Sequence, residues 1–112
     1  MSVTSSKRRG AETQSAVAAY LRGHGWPFAT DVGAGRGGID ILNVPGLSVE
    51  VKGRRDFSPG AWMREAASRP GLPLVVHRPY GAGALSVADW PTILRLADAV
   101  VLLRDAGFGD PR

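Results

Sequence analysis

The six residues Leu47 to Lys52, LSVEVK, alternate strictly between apolar and polar side chains. Period-two alternation marks a β-strand with two unlike faces. Leu47, Val49 and Val51 share one face, and Ser48, Glu50 and Lys52 share the other. Ten residues before Glu50, Asp40 is flanked by Ile39 and Ile41 in a second apolar run, IDIL. Pro45 and Gly46 suit a tight connection between the two runs. The expected hairpin therefore loads the middle of a small sheet with two acids and a lysine.

The remaining elements follow from periodicity and breakers. AETQSAVAAYLR predicts a helix from Ala11 to Arg22, with Ala16, Val17, Tyr20 and Leu21 at helical spacing. Gly23 and Gly25 suit its end. Glu12 falls in its first turn, where the helix dipole favours an acid. WPFAT reads as a first strand, and DVGAGRGG as a flexible loop of four glycines carrying Arg36. A second helix is expected over about Ala61 to Ser68, with Trp62, Ala66 and Met63 inward. LPLVVHR reads as a fourth strand whose Leu74-Val75-Val76 centre suits burial on both faces. LSV at residues 85–87 is a short fifth strand, and the tail is helical in two pieces capped by Asp89 and Asp98. Val100, Val101, Leu102 and Leu103 give that tail abundant apolar surface.

This order predicts an α/β fold, a mixed sheet of four to five strands flanked by helices. Residues 1–10, MSVTSSKRRG, read as a flexible basic arm, and residues 11–112 as a single domain. A chain of 112 residues has room for one modest core. A net charge of +4 favours a polyanionic partner without requiring one. The absence of cysteine excludes disulfides and thiolate metal sites. No apolar run approaches the roughly 20 residues of a membrane span, and the basic start leads into no apolar signal segment. The expectation is a soluble, cytoplasmic protein.

Two carboxylates on neighbouring strands repel unless a positive charge lies between them. A divalent cation meets that need, and Mg2+ takes carboxylate, carbonyl and water oxygens. Asp40, Glu50 and the Val51 backbone carbonyl form the candidate ligand set, with Glu12 reaching in from the first helix. Lys52 shares the strand face of Glu50, where an ammonium orients a water or offsets charge growing on a phosphate. Such parts describe phosphodiester hydrolysis assisted by Mg2+ or Mn2+. A surface salt bridge is the plainer alternative for the same residues. Arg54 and Arg55, directly after the strand, lead the candidate DNA contacts. Arg36, Lys7, Arg8, Arg9, Arg64, Arg69 and Arg78 follow. Such contacts position a duplex without reading its sequence. Trp26, Trp62 and Trp90 read as core or interface residues, and neither His24 nor His77 reads as a general base.

Asp40 followed by Glu50-Val51-Lys52 resembles the acid–(D/E)XK signature of the PD-(D/E)XK nucleases. Ile39 stands where that signature has its leading proline. Within the superfamily, the chain is similar to archaeal-type and phage-encoded Holliday junction resolvases over about Gly10 to Arg78. They share the early-helix glutamate (Glu12), the flexible segment before the first acidic strand and the VEVKGRR stretch. The resemblance implies a restriction-endonuclease-like core and an Mg2+- or Mn2+-dependent endonuclease acting on branched DNA in recombination. It assigns catalysis to Glu12, Asp40, Glu50 and Lys52. It also implies a homodimer, and a bacterial or phage-infected cell as the setting. Arg64 and Glu65 stand where such nucleases often carry a glutamine. A nuclease on unbranched duplex or single-stranded DNA is the first alternative, and a non-catalytic DNA-binding module with a nuclease fold the second.

Overall fold

Strand β3, Leu47–Lys52, forms where the alternation predicts it in the computed structural model, which describes residues 3–32 and 40–111, with side chains from residue 7 onward. Its apolar face lies against helix α1, Val3–Arg22, in a core that joins Val49 and Val51 to Val17, Ala18 and Ile41. Its polar face is covered too, by helix α2, Pro59–Ala67. Ser48 donates its hydroxyl to the Ala66 carbonyl at 2.6 Å, which satisfies a buried polar group and pins α2 to the strand. Trp62 and Ala66 bury the inner side of α2 against Val75. Full burial of side chains such as Trp62 is worth roughly 1.5–3 kcal/mol each.

Helix α2 is the crossover between β3 and β4, Leu72–His77, which run parallel with Val49 opposite Leu74 and Glu50 opposite Val75. Parallel neighbours require such a connection. Strand β5, Thr92–Ile93, pairs antiparallel with the other edge of β4. The pair β1, Thr30–Asp31, and β2, Ile41–Leu42, forms a separate antiparallel sheet.

The strands thus form two small sheets, of two and three strands, rather than one mixed sheet of four to five. The connection between β2 and β3 explains the break. Asn43 and Gly46 both adopt left-handed conformations, with φ of 62° and 80°. Leu47 donates its N–H back to the Val44 carbonyl at 3.0 Å. The turn closes on itself, and β2 and β3 meet through side chains instead of a ladder.

Helix α1 begins at Val3, eight residues before the expected start, so residues 3–10 are helical rather than a loose arm. Arg9 supplies part of the reason: its Nε donates to the Gly53 carbonyl at 3.0 Å, docking the first turns onto the end of β3. The buried stripe of α1 is Thr13, Gln14, Val17 and Ala18, whereas Tyr20 is exposed. The expected fifth strand is a 3₁₀ helix, Ala84–Asp89, and β5 comes after it. Buried Trp90 anchors that corner, donating its indole N–H to Ser86 Oγ at 3.3 Å. The last helix, α3, spans Leu96–Asp105 with Arg95 at its N-cap, and Asp98 in its first turn pairs with Arg95 at 2.8 Å. Its Leu96, Val100, Val101, Leu102 and Leu103 all remain exposed. No helix among the described residues is long and apolar enough to cross a membrane.

The entry to β4 depends on Gly71, which has φ of 106° and sits so close to β3 that a Cβ would lie 2.9 Å from the Leu47 carbonyl carbon. Both the conformation and the space exclude a side chain. Gly71→Ala is expected to lower stability by about 1–3 kcal/mol, read as a reduced midpoint in urea unfolding followed by circular dichroism.

Candidate active site

Asp40 precedes β2 directly and is buried. Its Oδ2 accepts the Val51 N–H at 2.7 Å, and its Oδ1 accepts from Gln14 Nε2 at 3.2 Å. A side-chain carboxylate thus takes the place of a ladder acceptor on the open edge of β3. The Gly46 and Lys52 carbonyls bond toward β4, accepting the N–H groups of Leu72 and Arg78 at 2.8 Å each. Alternation along the strand turns the Val51 N–H and carbonyl the other way, toward Asp40. Three of the expected site groups, Asp40, Glu50 and Lys52, are therefore gathered around one end of β3, with the Val51 carbonyl on the same edge.

Glu50 faces α2 and is 2% exposed, so its charge lies inside the protein rather than on an open sheet face. Arg69 Nη2 lies 2.6 Å from Glu50 Oε1, and Lys52 Nζ lies 3.2 Å from Oε2. Both cations counter the cost of burying the carboxylate. Glu65, from α2, completes the group: Lys52 Nζ is 3.4 Å from its Oε1, and its carboxyl lies near enough to that of Glu50 for the two to influence each other.

Burial dominates the proton affinities. It raises the pKa of Asp40 despite the Val51 N–H bond and the nearby Lys52 and Arg69. Glu50 is pushed up to about 7 by burial and by Glu65, against the pull of Arg69 and Lys52. Glu65 moves the other way, lowered by its interaction with Glu50 and by Lys52.

Glu12 does not join this group. Two positions from Gln14, it lies about 200° around the helix axis, and its Oε1 pairs with Arg78 Nη1 at 2.8 Å. Arg78 is also placed differently from the expectation of a DNA contact. It is 5% exposed, donates to Thr13 Oγ1 at 3.0 Å and to the Ala82 carbonyl at 2.8 Å, and lies over the Trp90 ring. Its guanidinium ties α1 to the turn after β4 and has no free face for a phosphate. Arg54, Arg55, Arg64, Lys7 and Arg8 are exposed, and Arg9 is half-buried. Arg55 and Arg9 both approach the Tyr80 ring, at 5.0 and 5.7 Å from its centroid. Arg36 lies outside the described residues. His77 packs between Phe57 and Trp62, with centroids at 5.0 and 5.4 Å.

Two residues enter the site that sequence reasoning did not place there. Gln14 carried a signal: with Val17, Ala18 and Leu21 it keeps helical spacing, and a polar residue on a buried stripe is informative. Arg69 carried none, because only the α2 crossover returns it to Glu50. Among the described residues, no cluster of three or more His, Asp or Glu side chains could hold a metal ion. The donors present are two carboxylates, a strand-edge carbonyl and one buried amide oxygen, Gln14 Oε1, that lacks a partner. Oxygen donors are the kind a hydrated divalent cation takes, and both oxygens of Glu50 are occupied here by Lys52 and Arg69. No family model matches the chain, and neither does any curated protein or solved structure.

The raised acids set a sign for stability. A carboxyl whose pKa is higher in the folded state binds protons on folding, so its contribution is full below the unfolded value and is lost as pH rises through the folded one. Without added metal, the protein is expected to lose stability between about pH 4.5 and 7, the unfolded and folded values for Glu50. Glu50→Gln should flatten that slope, as measured by urea midpoints across the range.

Proposed function

We propose that this chain is a metal-dependent endonuclease of the PD-(D/E)XK type that hydrolyses phosphodiester bonds in DNA, with branched DNA as its preferred substrate. The observation that carries the reading is the convergence of Asp40, Glu50 and Lys52 on one end of β3, with the Asp40 carboxylate hydrogen-bonded to the Val51 N–H. The branched-DNA preference, the restriction-endonuclease-like core and the homodimer rest on the resemblance of the motif and its flanks.

Asp40, Glu50 and the Val51 carbonyl would hold Mg2+ or Mn2+. Such an ion supplies Lewis acidity and a water of lowered pKa. The chain's own groups have separate tasks. Lys52, held between Glu50 and Glu65, keeps an ammonium beside the acids, where it offsets charge that develops on a phosphate. Arg69 neutralises Glu50 in the cation-free state, so metal entry exchanges one positive partner for another. Arg54 and Arg55 follow β3 directly and are exposed, which suits contact with the phosphates flanking the reacting one. Glu12 serves this reading only by holding Arg78, which is a structural task.

One observation favours a second reading. With both oxygens of Glu50 already engaged by cations, the fold is also self-consistent as a DNA-binding module without catalysis. The two readings separate on four-way junction, flap, linear duplex and single-stranded DNA, with Mg2+, Mn2+ or EDTA. The nuclease reading expects metal-dependent cleavage, fastest on the junction. Asp40→Asn and Lys52→Ala should each slow it by about 10²–10³-fold while leaving DNA binding in EDTA intact. Cleavage by Asp40→Asn at the wild-type rate would sink the site. Tight, metal-independent binding with no cleavage would establish the module instead.

A further inference from the structure

Gln14 is more than nine-tenths buried, yet only one end of its amide is satisfied. Nε2 donates to Asp40 Oδ1 at 3.2 Å, while Oε1 is buried without any partner. A buried acceptor left alone is costly, and folds avoid it unless a water, an ion or a function answers for it. The position is also one that a leucine or an alanine would fill by pattern, since it continues the Val17 and Ala18 stripe. Apolar packing does not call for an amide here; the bond to Asp40 does.

Its geometry has a use beside Asp40. The carboxylate is held at both oxygens, by Val51 N–H at 2.7 Å on Oδ2 and by Gln14 on Oδ1. Two fixed donors set the plane of the carboxylate and direct its remaining lone pairs. Donors of this kind behind a metal ligand are the usual means of orienting it. The same amide places an acceptor next to Asp40, and Mg2+ characteristically keeps several of its waters.

We propose that Gln14 is a positioning residue for a divalent-cation site at Asp40: its Nε2 orients the carboxylate, and its unpartnered Oε1 accepts a hydrogen bond from a water of the bound cation. This inference rests on the metal-dependent reading of the site and adds to it a role for α1 that Glu12 was expected to fill. Glu12 reaches Arg78, whereas Gln14 reaches Asp40. The ligand recognised is a hydrated divalent cation; the amide contributes no charge and discriminates by hydrogen bonding alone.

The test is Mn2+ binding by the full chain, measured by calorimetric titration and by the electron paramagnetic resonance signal of free Mn2+, without DNA. Wild type, Gln14→Leu, Gln14→Met and Asp40→Asn are compared, with folding checked by circular dichroism and urea midpoints. The proposal expects Kd for Mn2+ to rise about 10–100-fold in both Gln14 variants, and binding to be lost in Asp40→Asn. A purely structural Gln14 would shift the urea midpoint and leave Kd where it was. Two apolar variants of different shape guard against a misfolded one. Wild-type Kd in whichever variant folds, with metal-dependent cleavage intact in wild type, overturns the role of Gln14 and spares the nuclease reading. Absence of both Mn2+ binding and metal-dependent cleavage in wild type overturns the two together.

Discussion

The hydrogen bond from the Val51 N–H to Asp40 ties the start of β2 to the edge of β3, above the core that the two strands share. No ladder connects β2 to β3, because the chain between them turns through two left-handed residues, Asn43 and Gly46. A side-chain carboxyl bridges the gap, accepting at 2.7 Å where a ladder carbonyl would otherwise stand. The bond fixes the sheet edge and presents an acid at the same time. Structure and candidate chemistry therefore share one group. Replacing Asp40 touches both, which is why its conservative amide, able to keep the acceptor oxygen, is the informative substitution.

On the other side of β3 the balance is between burial and charge. Glu50 is enclosed by α2, and an isolated carboxylate there would be driven to bind a proton. Arg69 and Lys52 oppose that tendency as ion-pair partners, whereas Glu65 adds to it. A divalent cation placed against Glu50 would find a group already poised between states.

Local pattern made much of this legible. LSVEVK was readable to the residue, since period two with unlike faces admits no helix. Trp62 and Ala66 were readable as the inner side of α2, and the apolar centre of β4 as a buried parallel strand. Four other features depended on backbone geometry and contacts that sequence spacing does not encode. The sheet divides because of backbone angles at Asn43 and Gly46, residues that signal a turn without specifying its path. α1 extends back to Val3, past Gly10, with the Arg9 bond to Gly53 tethering that end across the fold. Gln14 takes the place expected of Glu12, because a rotation of the helix by two residues decides which side chain meets Asp40. Alternation marks one face of β3 as polar, and only the docking of α2 makes that face interior.

The buried position of Arg78 alters how the basic character of the chain should be counted. Lys52, Arg69 and Arg78 face Glu50 and Glu12 within the protein. Paired and enclosed, they attract few ions from solution and have few to exchange when a polyanion arrives. Counterion release, the entropic source of affinity for nucleic acid, therefore falls to the outward cations of the α1 start and of the segment after β3. The formal charge of +4 counts every ionisable group of the chain, whereas the ionic atmosphere responds to the smaller set of exposed arginines and lysines.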